Sequence, residues 1–301
     1  MIDERLDRQL VAFNERYQKC FYSSSNADDI KKNRYFSNIR SLDFKRVVED
    51  LKYRKYAKKH FSTEGNIVSQ IPHAINPSGL KIAVYCCIVG QYDSIIEPIY
   101  NEDNIDYLVY TDQDLPVNSS WRKREIRNFP EYTQLKAAQL NRKIKILQTD
   151  ELLRYDFTIY VDGNIEIVSG LSPIIANMGQ YGLGVHYHRR RDCIYDEVVA
   201  VKHLKRLSGE DMDEQINTYR RDGFPTHFGM YENSILIRNN RDEETIDLMQ
   251  EWWNEYMRFP TRDQLSLPYV VWKTGYNKNK VYILGNDVER NPRFNRLYNH
   301  K

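Results

Sequence analysis

The chain is short of cysteine, of long apolar runs and of excess charge of either sign, and each shortage excludes a class. Its 301 residues carry four cysteines. Cys86 and Cys87 are neighbours in an apolar run while Cys20 and Cys193 stand alone, a spacing that fits neither a disulfide framework nor paired metal ligands. A reducing, cytoplasmic compartment is the expectation. Asp3, Glu4, Arg5, Asp7 and Arg8 crowd the N-terminus and do not make a secretory signal. No run approaches the roughly 18 apolar residues of a membrane helix, so any membrane contact is peripheral. A formal net charge of +2 is too small for a polyanion coat, so nucleic acid is not an expected partner and any nucleotide contact is local.

What is present divides at about residue 77. Residues 1–77 are polar, tyrosine-rich and helical in pattern, an appendage to a main domain over 78–301. Phe44, Val47, Val48 and Leu51 recur at helical spacing among Lys45, Arg46, Lys52, Arg54, Lys55, Lys58 and Lys59. Such a basic helix suits an anionic membrane at the inner face or a partner, but an ordinary solvated face beside the main domain is favoured. Turn chemistry at Ile75-Asn-Pro-Ser-Gly79 opens the main domain. Apolar runs predict strands over 81–89, 106–110, 157–161, 184–188, 234–237 and 281–284. Helices are predicted from about Thr133, with Ala137, Leu140, Ile144 and Leu147 on one stripe, and over 243–257, with Ile246, Met249 and Trp253 inward. This alternation implies an α/β fold with a largely parallel sheet covered on both faces.

In such sheets ligands bind beyond the carboxyl ends of the strands, which here are Gly90, Thr111-Asp112 and Asp162-Gly163-Asn164. The last offers a carboxylate, a glycine that admits a diphosphate to the backbone, and an amide oxygen. Hard divalent cations take such oxygens and complete their shell with water and phosphate. An Asp-Gly turn is also ordinary at a strand end. Asn141, Arg142 and Lys145, on the preceding helix, are placed to reach a diphosphate, although alone they read as a solvated face. His186-Tyr-His-Arg-Arg-Arg-Asp-Cys-Ile-Tyr-Asp-Glu197 holds too many polar groups for a core and reads as a sugar- or acceptor-binding loop or an exposed charged one. Tyr231-Glu-Asn-Ser234 is placed before a strand. In Pro260-Thr-Arg-Asp-Gln-Leu-Ser266, Thr261 suits a helix cap and Asp263 a first turn, or else Asp263 faces the reacting sugar.

Taken in order, Gly90-Gln-Tyr-Asp93, Pro98, Asp106-Tyr107, Thr111-Asp112, Trp121, Asn141-Arg-Lys-Ile-Lys145, Asp162-Gly163-Asn164, His188, Arg191-Asp-Cys-Ile-Tyr-Asp-Glu197, Glu232-Asn233 and Arg262-Asp-Gln-Leu-Ser266 resemble the TOD1/MUCI70-like glycosyltransferases, across residues 81–300. The resemblance implies a GT-A-like (Rossmann-like) fold and a nucleotide-diphospho-sugar donor, UDP-linked by expectation. It implies donor contacts from Ile88, Gly90, Tyr92, Asp93, Thr111, Asp112, Asn141, Arg142, Lys145, Asp162 and Gly163. It places sugar or acceptor contacts at His186, His188, Arg191, Asp192, Tyr195, Asn233 and Gln264. Two departures stand out: Asn164 where many GT-A enzymes carry a second aspartate, and Leu147-Gln-Thr-Asp150 in place of a Leu-Pro-His, a change expected in the donor pocket.

The expected activity is transfer of a sugar to a glycan, a lipid-linked glycan or another hydroxyl acceptor, in bacterial surface polysaccharide synthesis. Mn²⁺ or Mg²⁺ held by Asp162 and Asn164 would offset the charge growing on the diphosphate, with Arg142 and Lys145 sharing the load. If the anomeric centre inverts, Asp263 is the first choice of base, followed by Glu197 and Glu232. Retention needs no such base. The competing readings are a glycan-binding or scaffolding protein without catalysis, and a sugar nucleotidyltransferase, for which Ile88-Val-Gly-Gln-Tyr-Asp93 lacks a glycine-rich basic loop.

Overall fold

A computed structural model describes residues 44–61, 75–203, 209–285 and 287–297. The seven residues of β1, Ile82–Ile88, and the five of β4, Phe157–Val161, are all buried. Strands covered on both faces read as unbroken apolar runs rather than alternating ones. Between them in sequence come β2, Ile105–Thr111, and a short edge strand β3, Arg122–Glu125, too charged to read as a strand. Two further strands, β5 (Ile165–Ile167) and β6 (Leu183–Tyr187), are followed by β7 (Tyr231–Asn239), β8 (Val281–Ile283) and β9 (Phe294–Arg296). Seven of them form one sheet in the order β3-β2-β1-β4-β7-β6-β8, and β5 pairs with β9 apart from it. Only β7 runs against the rest of the large sheet, pairing antiparallel with β4 and β6. The GT-A-like, mostly parallel α/β architecture is therefore present.

The helices are α1 (Phe44–His60), α2 (Ala137–Leu147), α3 (Ser172–Met178), α4 (Ile194–His203), α5 (Gly209–Arg221), α6 (Glu243–Arg258) and α7 (Asp263–Lys273). One face of the sheet packs on α2, α6 and α7, through Leu140, Ile144, Leu248, Trp252 and Leu267. The other packs on α3 and the β5–β9 pair, through Ile175, Met178, Ile165 and Phe294.

Three helices are rotated from the faces the sequence suggests, although Leu140 and Ile144 of α2 and Met249 of α6 are buried as expected. On α2, Ala137 is exposed and Leu147 half-buried, while Lys145 and Ile146 are buried. On α6, Ile246 is exposed and Trp253 half-buried; Leu248, Met249, Trp252 and Tyr256 form the core face. On α1, Val48 and Leu51 are exposed, and the helix docks on α4 through Tyr53 stacked on His203 and Tyr56 donating to Asp196 at 2.6 Å. On α1 and α6 large aromatics set the rotation, and on α2 the buried Lys145 joins the aliphatic residues in setting it.

α2 is seated by a buried arginine. Arg238 of β7, 1% exposed, donates to the carbonyls of Lys145 and Ile146, where a helix presents unsatisfied oxygens and negative dipole. The Tyr85 hydroxyl also donates to the Lys145 carbonyl, at 3.0 Å.

Candidate active site

β4 ends in a turn held from three sides. Asp162 accepts from Ile165 N at 3.0 Å, donates to Ser234 O at 2.9 Å, and Leu297 N donates to Asn164 O at 2.9 Å. The Asp162 carboxylate accepts from the Tyr160 hydroxyl at 2.9 Å and lies 3.4 Å from Lys145 Nζ. Tyr160 was missed by sequence reasoning, although a residue two before an acid at a strand end shares its face. Lys145 lies also 2.8 Å from Asp263 Oδ2, and Arg142 Nε is 3.3 Å from Asp263 Oδ1. Two carboxylates and two cations thus alternate at the carboxyl end of the sheet and balance one another.

This arrangement corrects two expectations. The Arg142 and Lys145 face is not a solvated helix surface: Lys145 is 2% exposed. Nor is Asp263 poised to accept a proton. Burial alone would raise its proton affinity, but the Arg142 and Lys145 charges outweigh that and hold the carboxyl well below its usual range. The Asp263 charge in turn pushes the Arg142 guanidinium further up. Thr261 does not cap α7; Arg262 takes that position, and the Thr261 hydroxyl donates to Gln215 at 2.8 Å.

The donor-side residues converge beside this turn. Gly90 has φ +70°, a conformation open to glycine, and its N–H donates to Asp112 Oδ2 at 3.1 Å. Tyr132 donates to the same carboxylate at 3.2 Å, and Asn141 Nδ2 ties α2 to the Cys87 carbonyl at 2.6 Å. Arg142 donates to Asn141 Oδ1. Thr111 is fully buried with its hydroxyl accepting from Gln113 N, so Asp112 is the member of that pair that meets Gly90. Tyr92 is 70% exposed. A Cβ on Gly163 would meet Asp93 Oδ2 at 3.1 Å and Ile88 Cγ1 at 3.2 Å. The Asp162-Gly163-Asn164 turn and Asp93 therefore supply hard oxygen donors around a glycine where even a methyl is tight, a set that suits Mg²⁺ or Mn²⁺ beside phosphate.

The acceptor-side segment does not form one loop. His186 lies in β6, fully buried against Asn291 Nδ2 at 3.0 Å, and Tyr195 lies in α4 donating to Phe224 O at 2.7 Å. Both are packing residues. Asp192 is on the surface, 2.8 Å from His227 Nδ1. His188, Arg191 and Glu197 do meet: Glu197 is 2.5 Å from Arg191 Nε and 3.7 Å from both His188 Nε2 and Arg262 Nη1. Burial, with Arg191 and Arg262 adding to it against Glu197, pushes the His188 imidazole down to about 4. Arg262 carried no sequence signal beyond its family motif.

Glu232 and Asn233 lie inside β7, not before it. Because β7 is antiparallel, its first residues stand next to the last of β4. Glu232 pairs with Arg296 at 2.5 Å and accepts from Val288 N at 3.1 Å. Burial raises its carboxyl above the usual range, although Arg296 opposes this. Asn233 is 4% exposed, and among the described residues neither its amide nitrogen nor its oxygen finds a hydrogen bond. Gln264 spans Arg262 and the Tyr231 carbonyl at 3.0 Å each.

A cleft of about 410 Å³ lies at the other end of β4, lined by Ile144, Leu147, Gln148, Asp150, Arg238 and Asn240 among others. None of the residues Asp162, Lys145 or Asp263 borders it, so the charge constellation and not this cleft marks the site. Leu147-Gln-Thr-Asp150 therefore lies away from the donor side: Gln148 donates to Asn240 at 3.0 Å and accepts from Thr158 inside β4.

No curated protein matches the sequence. Three solved structures of glycosyltransferases are similar to the chain. An apo structure of the bifunctional WbbM enzyme aligns at 11% identity and a TM-score of 0.39, over 70% of this chain and 40% of that one. GlyE of Streptococcus pneumoniae TIGR4 aligns at 9% identity and 0.36, over 68% and 45%. The mannosyltransferase Ktr4p of S. cerevisiae aligns at 9% identity and 0.35, over 76% and 75%. The chain thus spans less than half the length of the first two. The family described as TOD1/MUCI70, glycosyltransferase-like domain, matches residues 53–300. With so much of its length matched, the chain belongs to the TOD1/MUCI70 glycosyltransferase-like family.

Proposed function

We propose that the chain is a metal-dependent glycosyltransferase that takes a sugar from a nucleotide diphosphate, UDP-linked by preference, and passes it to a hydroxyl of a glycan or lipid-linked glycan. The observation that carries this is the alternation of Asp162, Lys145, Asp263 and Arg142 at the carboxyl edge of the sheet. That set is neutral by itself, so a dication and a diphosphate enter together without leaving a large buried charge. Asp162 and Asn164, with Asp93 beside Gly163, would hold the ion. When bound it supplies charge stabilisation for the departing nucleoside diphosphate. Arg142 and Lys145 are oriented by Asp263 rather than free to swing, which is the preorganisation that electrostatic catalysis requires.

Asp263 accordingly has a positioning role in this proposal. For an inverting reaction, Glu232 is the better base of the three carboxylates, because its proton affinity is raised where that of Asp263 is depressed. Asn233, buried with open hydrogen-bonding capacity, is assigned to sugar hydroxyls.

We assign catalysis to residues 78–301 and an accessory role to residues 1–77, within which α1 is docked on α4. Among the described residues no helix is long and apolar enough to cross a membrane. A cytoplasmic site of action in bacterial polysaccharide synthesis, with the basic α1 face solvated beside the main domain, completes the proposal.

The decisive experiment screens hydrolysis of a nucleotide-sugar panel with and without Mn²⁺. The expected result is Mn²⁺-stimulated turnover of one donor, lost in Asp162→Ala with the fold retained. Unchanged turnover in that variant defeats the mechanism. A glycan-binding protein without catalysis would show no Mn²⁺-dependent tightening of nucleoside diphosphate binding by calorimetry.

A further inference from the structure

Cys193, Asp196 and His227 come together outside the Asp162 constellation. One ligand-type atom from each lies within 4.8 Å of the others. Cys193 does not stand alone as its sequence spacing suggests, because His227 is brought to it by the chain segment returning to β7. Gly229 N donates to Asp192 O, and His188 N donates to Met230 O, both at 2.9 Å. Cys193 immediately precedes α4 and Asp196 lies in its first turn, both buried, while His227 is exposed. An ion therefore has a path from solvent to two interior ligands.

Asp196 is the informative member. A carboxylate only 4% exposed is costly unless its charge is balanced. Its contact is the Tyr56 hydroxyl at 2.6 Å, and among the described residues it forms no ion pair. Cys193 gives an independent indication. Backbone N–H groups of His227, Asp196 and Tyr195 are all directed at its sulfur. The third ligand is braced as well, because Asp192 Oδ1 lies 2.8 Å from His227 Nδ1. Carboxylates on imidazoles are the usual supports of metal-bound histidines.

We propose that Cys193, Asp196 and His227 bind one zinc ion, with solvent in the fourth tetrahedral position. A sulfur, a nitrogen and an oxygen suit zinc, whereas the all-oxygen turn at Asp162 suits a harder ion. The thiolate and the carboxylate together match the charge of the ion, so the filled site is neutral, and binding releases the thiol proton to solvent. The ion fastens the first turn of α4 to the segment before β7 and, through Asp196 and Tyr56, to α1. Its role is positioning: Glu197, next to Asp196, holds Arg191 and His188.

The test strips the full chain with a chelator, returns Zn²⁺, removes the excess and measures bound metal. Co²⁺ substitution then reports thiolate coordination by its charge-transfer absorption. Wild type and Asp162→Ala are expected to retain one zinc per chain. Cys193→Ser and His227→Ala are expected to lose it, and Asp192→Asn to bind about 10–100-fold more weakly. His227 is exposed, so its variant is expected to fold, which thermal melting checks. No uptake by wild type, equal uptake by His227→Ala, or loss in Asp162→Ala alone overturns the assignment. A zinc result of either sign leaves the Mn²⁺ experiment above independent.

Discussion

Lys145 Nζ lies 2.8 Å from Asp263 and 3.4 Å from Asp162, so one buried ammonium is shared by two carboxylates that arrive from different elements. α2, α7 and the end of β4 are thereby joined electrostatically, and the same link orients the groups assigned to the diphosphate.

Lys145→Met leaves the buried Asp263 charge paired only with Arg142, with Arg262 acting at longer range. Breaking a buried pair costs about 3–5 kcal/mol. Urea unfolding is expected to show a loss of that order, partly recovered in a Lys145→Met/Asp263→Leu double variant. The Asp263 contribution is complete above its ordinary value of 3.8 and fades as pH falls below it.

His188 gives stability a second pH dependence, of a different origin. The unfolded chain binds a proton on this ring below 6.5, while the folded chain refuses it until about 4, so acid in that window favours unfolding. Stability is expected to rise with pH between these values, by at most about 1.4 kcal/mol per pH unit. His188→Gln is expected to flatten that limb in melts recorded across the window.

Gly163→Ala tests whether the turn must admit a ligand to its backbone. The added methyl meets Asp93 Oδ2 at 3.1 Å and Ile88 Cγ1 at 3.2 Å, closer than ordinary contact, so these neighbours must shift by a few tenths of an ångström. Stability is expected to change by less than about 1.5 kcal/mol, within the range of small overpacking costs. Donor KM is expected to rise on the order of 10-fold, a loss of about 1.4 kcal/mol in binding. Equal donor kinetics in variant and wild type would separate this glycine from the donor site.

Tyr56→Phe removes the hydroxyl on Asp196. A hydrogen bond to a charged group contributes about 1.5–3 kcal/mol. α1 is expected to become more susceptible to limited proteolysis while the sheet, followed by hydrogen exchange, keeps its protection.

The parallel part of the sheet was legible because β1, β2 and β4 are mainly apolar and almost wholly buried, and the site was legible where an acid closes such a strand. β3 was not, since Arg122-Lys-Arg-Glu125 pairs through its backbone at an edge and needs no apolar side chains. The burial of Lys145 and Arg238 was hidden for a related reason: a charge can enter the core when a distant carboxylate or helix carbonyl meets it, and sequence spacing does not reveal that meeting. The Glu232-Asn233 pair was placed before β7 because polar residues interrupt the apolar run. The strand continues there, through hydrogen bonds to β6 on one side.

The reversed direction of β7 has a consequence for how the site tolerates change. Its opening residues alternate between sheet faces, one toward Arg296 and the next into the interior, and a strand repeats every two residues. Deleting a single residue near the middle of β7 would exchange those allegiances, turning the carboxylate inward and the amide toward the guanidinium. Evolution of this edge must therefore proceed by substitution in place, while the loops that lead into it remain free to lengthen.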